Sequence, residues 1–253
     1  MTNILETKKL GIDFGGLTAV NNLSMYIGEN EIVGLIGPNG AGKTTVFNLL
    51  TKVYEPTRGE IILNNQNTSK LDTVDINKAG IARTFQNIRL FNELTVLDNI
   101  LVGMHNHISY TTLDSIFRVA KFYKEEKQVN EKAVELLKIF NLDKFAESKA
   151  GSLPYGAQRK LEIARALATN PKLLLLDEPA AGMNPQETDE LMNTIKFVRE
   201  KFNISILLIE HDMSLVMNIC ERIYVLNFGM LLAHGNPKQI KSNPEVIKAY
   251  LGE

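Results

Sequence analysis

Hydrophobic and polar positions along the 253-residue chain follow two periods in alternation. Short apolar runs separated by turn residues fill residues 4–36, where Gly15-Gly16 and Asn21-Asn22 punctuate strands and predict hairpins. "EIVGLI" (31–36) reads as a compact strand running into a glycine-rich loop and the helical "KTTVFNLLTKV". A turn and a further strand follow in "EPTRGEIILNN". From about Thr95 to Leu167 the period becomes helical, with Ala133, Leu136, Leu137 and Phe140 spaced along one face. Segment 105–128 is polar first and amphipathic later, and reads as a surface insertion. Beyond residue 170 strands and helices alternate again: "KLLLLD", a helix over about 186–200, "ISILLI", a helix from about 212, then "RIYVLNFGMLLAHG". The continuous apolar runs are those of strands buried on both faces, so the pattern predicts an α/β fold with a parallel sheet.

Composition narrows the function classes. Hydrophobic residues make up 44% and charged residues 23%, ordinary for a globular chain, and the net charge of −1 points to no nucleic-acid partner. The lone Cys220 excludes an internal disulfide and fits a reducing compartment. No secretory signal is expected in "MTNILETKKLGIDFGG", and the apolar runs are too short to cross a bilayer. Any membrane role must therefore come through a partner.

The candidate chemistry begins at "GPNGAGKTT" (37–45), which fits G-x-x-x-x-G-K-[ST] between a strand and a helix. Its glycines allow successive N–H groups to face phosphate oxygens, and the helix start adds positive potential. Lys43 would reach the β- and γ-phosphates, and the Thr44 hydroxyl would join a Mg²⁺ shell. "LLLLDEP" puts Asp177 and Glu178 at a strand's carboxyl end, where open α/β sheets bind ligands. Asp177 suits Mg²⁺, and Glu178 suits a general base that polarises water. Gln86, after "IARTF", could touch both metal and water, and His211, after "ISILLIE", could donate to the γ-phosphate. Taken singly, each of these two is an ordinary polar residue at a strand end. His105 and His107 have no acids or cysteines beside them and read as loop residues.

In order and spacing, "GPNGAGKT", Gln86, "LPYGAQRKLEIARAL", "LLLLDEP" and "IEHD" resemble the nucleotide-binding subunit of ABC (ATP-binding cassette) transporters over essentially the whole chain. The resemblance implies an ATPase of one ABC domain (1–253): a P-loop NTPase core with an antiparallel β-subdomain (1–94 and 168–253) and a helical subdomain (95–167) carrying the signature. It implies ATP and Mg²⁺. Phosphate-loop positions would be Gly37, Asn39, Gly40, Ala41, Gly42, Lys43, Thr44 and Thr45, with Gln86 and Asp177 at the metal, Glu178 catalytic and His211 as the switch. Phe14 would stack on adenine beside Val20, although Phe14 also fits a small strand core. "GIARTFQNIRLF", "LPYGAQRKLEIARAL" and "DEPAAGMNP" look most like the larger ATP-binding component of branched-chain amino-acid importers. Similar cassettes serve urea or amide uptake and lipopolysaccharide export, and the rival outside transport is a soluble ABC ATPase.

The signature departs from L-S-G-G-Q: this chain has Leu153, Pro154, Tyr155, Gly156 and Ala157. The serine hydroxyl is absent and Pro154 has no N–H, so Tyr155 and Gly156 remain as the expected contacts. Asn184 stands at the family's D-loop aspartate. The resemblance implies a dimer with a second cassette, identical or paralogous, closing on two ATP molecules. It also implies integral-membrane permease subunits and, indirectly, a substrate-binding protein. The expected location is the inner, cytoplasmic face of the plasma membrane. Ile88, Leu90 and Phe91 are either a permease contact or filling for the helical core.

Overall fold

The computed structural model describes residues 2–105 and 120–251. Most of segment 105–128, with His107, lies outside or at the edge of that description. Two compact units emerge, one of Met1–Gln86 with Lys172–Glu253 and one of Asn87–Pro171.

The first unit holds two sheets. Strands β1 (Asn3–Phe14), β2 (Leu17–Gly28), β4 (Arg58–Leu63) and β5 (Gln66–Asn67) form an antiparallel sheet in the order β2-β1-β4-β5. Gly15-Gly16 turns the β1–β2 hairpin as the sequence predicts. Asn21-Asn22 makes no turn. It lies within the continuous β2, with Asn22 at φ 54° near a slip in the pairing between Leu10↔Leu23 and Ile12↔Val20. Asparagine tolerates that left-handed backbone, so a residue type that signals a turn here makes a bulge.

The second sheet runs β10-β9-β3-β8-β7-β6, from Met230–Gly235, Arg222–Asn227, Ile32–Ile36, Ser205–Ile209, Leu173–Asp177 and Ile81–Arg83. Pairings among β9, β3, β8, β7 and β6 are parallel, and β10 closes one edge antiparallel. "IVGLI", "LLLLD" and "SILLI" are buried at every position, as strands covered on both faces must be. Leu35, Leu175, Leu207 and Ile209 join Phe47, Leu49 and Leu50 of helix α1 (Lys43–Leu50) in one apolar core. Each such side chain stabilises the fold by about 1.5–3 kcal/mol through burial.

Further helices in this unit are α2 (Thr73–Lys78), α6 (Pro185–Phe202), α7 (Met213–Ile219), α8 (Pro237–Lys241) and α9 (Pro244–Leu251). Capping boxes start α2 at Asp72, α6 at Asn184 and α8 at Asn236. Burial in α9 raises the Tyr250 pKa, and the nearby Gly37 backbone amide opposes that rise.

The second unit is helical, with α3 (Val96–Met104), α4 (Ala120–Ile139) and α5 (Tyr155–Leu167). Ala133, Leu136, Leu137 and Phe140 are buried, as are Leu161, Ala164 and Leu167 of α5. Arg159 is wholly buried and its charge is met by Glu162 at 2.9 Å. Among the described residues no helix is long and apolar enough to cross a membrane.

Candidate active site

The phosphate loop leaves β3 at Gly37, and two of its glycines are required by space as well as by conformation. A Cβ on Gly37 (φ +154°) would lie 2.2 Å from the Leu226 carbonyl oxygen, and one on Gly42 (φ +99°) 2.7 Å from that of Ala19. Gly42 also occupies the N-cap of α1, which therefore has no side-chain acceptor for its first N–H groups. Those donors are left for an anion, with the helix dipole behind them. Lys43 is buried and donates from Nζ to the carbonyls of Gly37 at 2.8 Å and Pro38 at 3.0 Å. Burial pulls its pKa below the usual lysine range, while the charges of Glu178 and Asp177 pull it back up. An ammonium held on loop carbonyls in this way is ready to exchange them for phosphate oxygens. Asn39 and Gly40 are exposed at the loop tip, Ala41 is buried, Thr44 is exposed and Thr45 half-buried.

Three sequence-distant residues meet at the sheet's carboxyl edge. Gln86 Nε2 donates to Glu178 Oε2 at 2.7 Å, and His211 Nε2 lies 2.8 Å from Glu178 Oε1. Glu178 follows β7 in the left-handed region (φ +47°), and its N–H donates to Ile209 O at 2.9 Å. A side-chain residue in that region is strained, and such backbones gather at functional sites. A carboxylate between an amide and an imidazole is oriented on both oxygens, so it can accept a proton from a water placed beside it.

Asp177 closes β7 with its Oδ2 on Arg83 Nη2 at 2.8 Å, the two side chains 4% and 8% exposed. Arg83 also donates to Asn48 Oδ1 of α1 at 2.7 Å, and its guanidinium lies over Phe47 and Phe85. Arg83 thus ties α1, β6 and β7 together at Asp177. Nothing in "IARTF" beyond a cation inside an apolar strand signals that role. Thr44 hydroxyl, the second Asp177 oxygen and the Gln86 amide oxygen are hard oxygen donors, the chemistry Mg²⁺ takes. The residues present fit that ion.

Phe14, at the end of β1, is 44% exposed and meets Tyr54 edge-on at 5.2 Å between ring centroids. A ring exposed to this extent is of a kind on which a planar base can stack. Val20 is fully buried behind the loop and shows no surface to a ligand. In the signature, Pro154 is the N-cap of α5 and gives no side-chain cap. Tyr155 is 44% exposed, with its hydroxyl accepting from Arg159 Nη2 at 3.2 Å, and Gly156 lies half-buried in the first turn. Asn184 Oδ1 accepts from the Glu187 amide at 3.0 Å, so its side chain serves the start of α6 without charge. His105 lies at the end of α3 and touches none of this. Phe91 is exposed, with the Arg165 guanidinium over its ring, and Ile88 and Leu90 are half-buried.

A second residue escaped the sequence reading. Glu210, directly before His211, is buried and accepts backbone N–H bonds from Ala180 and His211. Its place in "IEHD" says only that an acid follows four apolar residues, not that it turns inward.

Residues 20–181 match the ABC transporter family, and residues 230–253 match the family described as branched-chain amino acid ATP-binding cassette transporter. The high-affinity branched-chain amino acid transport ATP-binding protein BraF of Pseudomonas aeruginosa is 50% identical over 250 residues, 99% of this chain and 98% of that protein. Its counterpart LivG of Escherichia coli K12 is 48% identical over the same shares. The crystal structure of the ADP conformation of MJ1267, an ATP-binding cassette of an ABC transporter, superposes with a TM-score of 0.87 over 100% of both chains at 33% identity. A dimeric post-hydrolysis cassette, MJ0796 bound to ADP and Pi, matches with a TM-score of 0.76 at 26% identity, over 92% of this chain and 98% of that one. By its sequence over nearly its full length and by its fold, the chain belongs to the ABC transporter family, as an ATP-binding cassette.

Proposed function

We propose that this cassette powers an importer of branched-chain amino acids, hydrolysing ATP on the cytoplasmic face of the membrane. Permease subunits would hold it there, and a substrate-binding protein would deliver the cargo. The carrying observation is the identity of 48–50% with BraF and LivG across nearly the whole chain, together with a C-terminal segment that matches the branched-chain cassette family. In this reading the P-loop NTPase core and β-subdomain take in residues 1–94 and 168–253, and residues 95–167 form the helical subdomain with the signature.

The residues act as follows. Phe14 carries the adenine ring on its exposed face, and Gly37 to Thr45 wrap the phosphates with backbone N–H groups. Lys43 releases the Gly37 and Pro38 carbonyls to hold the β- and γ-phosphates. Thr44, Asp177 and Gln86 would hold Mg²⁺, which when bound would offset charge developing on the phosphate oxygens. Glu178 takes the proton of the attacking water, held in place by Gln86 and His211. A second cassette brings its own Tyr155–Gly156 helix start to the γ-phosphate, as the uncapped start of α5 supports. Gln86 lies where the chain passes toward Ile88, Leu90 and Phe91, the surface offered to the permease.

Affinity purification of the full chain from native membranes, followed by vesicle reconstitution of what copurifies, tests this reading. The expected result is a complex with permease subunits and a second cassette that accumulates labelled leucine when ATP is inside the assay. Accumulation of urea or amides with no leucine uptake would overturn the cargo. Recovery of the chain free of membranes would favour the soluble ATPase.

A further inference from the structure

Glu210 ends the apolar run of β8, yet its side chain is only 4% exposed. One carboxylate oxygen accepts the Ala180 N–H at 2.7 Å. The other accepts the N–H groups of His211 at 3.0 Å and Asp212 at 3.4 Å. A single carboxylate therefore fastens the loop after β7 to the loop after β8. These two loops carry Glu178 and His211.

The fastening falls where the backbone is strained. Glu178 sits at φ +47°, and its own N–H is taken by Ile209 O. Two residues later the Ala180 N–H goes to Glu210, and the Ala181 N–H returns to Glu178 O at 3.2 Å. Strained backbone persists when its surroundings over-determine it, and here Ile209 holds the Glu178 N–H while its neighbour Glu210 holds the Ala180 N–H two residues on. Burial raises the Glu210 pKa, the three amide donors oppose that rise, and the Glu178 charge adds to it.

We infer that Glu210 is a positioning residue for hydrolysis: by joining the Ala180 and His211 backbones it keeps the Glu178 carboxylate against the His211 imidazole. The inference rests on the reading of Glu178 as general base. A glutamine in this place keeps the shape but turns one acceptor into a donor. Either the Ala180 N–H or the His211 and Asp212 pair then faces an N–H₂ group. An aspartate keeps both acceptors on a shorter arm.

The test uses the full chain carrying Glu210→Gln, Glu210→Asp or Glu178→Gln. ATP affinity, kcat and KM are read per folded molecule, with folding followed by circular dichroism. Glu210→Gln is expected to lower kcat by about 10–100-fold, the range seen when groups supporting a catalytic residue are changed. ATP affinity should stay within about threefold, since no phosphate contact is altered. Glu210→Asp should lose less, and it carries the test if the glutamine variant does not fold. Native kcat in the folded variants overturns the proposal. So does a fall in kcat matched by equal losses of ATP affinity and thermal stability, the mark of general loosening. Native turnover in Glu178→Gln would instead overturn the general-base reading. An inactive Glu178→Gln beside a native Glu210→Gln would sink the Glu210 proposal alone.

Discussion

Lys43 carries a charge that its surroundings both resist and support. Burial favours the neutral amine, and Glu178 and Asp177 restore the ammonium. The sign of the linkage follows. Removing the Glu178 charge takes away upward pull, so Lys43 in Glu178→Gln loses its proton at lower pH than in the native chain. In the proposed role of Lys43, phosphate binding needs that proton. Titrating ATP binding from about pH 7 to about pH 10 should therefore show the variant's affinity declining earlier on the alkaline side. Coincident decline in the two proteins would show that Glu178 does not act on Lys43. Single residues were also where the sequence was least informative. Arg83 and Glu210 are polar letters beside apolar runs, and only the packing of β6, β7 and β8 shows which way each points.

Among the α-helices whose N-caps are described, α1 and α5 alone have no side-chain acceptor at the start. Asp72, Thr95, Asn184, Asp212 and Asn236 serve the others. The two helices without a side-chain cap are those of the phosphate loop and the signature, so no capping side chain stands between either helix start and an anion. Gly156→Asp would place a carboxylate in the first turn of α5. ATP-dependent dimerisation should weaken by at least about tenfold through charge repulsion. ATP binding by the single chain should be unchanged. Size-exclusion chromatography with light scattering, in a Glu178→Gln background, checks the first, and equilibrium titration with a fluorescent ATP analogue checks the second. Element boundaries were legible where the period ran long, as in "LLLLD" and "ISILLI". Asn21-Asn22 misled because a bulge and a hairpin use the same left-handed residue.

Across the whole molecule, the site exists only through the strand order. The phosphate loop, Gln86, Glu178 and His211 follow β3, β6, β7 and β8, which are consecutive in space only as β3-β8-β7-β6. Parallel pairing puts all four carboxyl ends on one edge. The motifs and their intervals were visible in the sequence, because each is local. The contacts among Gln86, Glu178 and His211 were not, since they depend on crossovers that bring residues 86, 178 and 211 together.

The position of Tyr250 near the Gly37 backbone has an optical use. The chain contains no tryptophan. Tyr250→Trp would make position 250 its sole indole emitter, on a helix that touches the first residue of the phosphate loop. Excited at the red edge, where tyrosines do not absorb, that indole should change in intensity or wavelength when ATP occupies the loop. The segment that matches the branched-chain cassette family would then report nucleotide occupancy in real time, without a label.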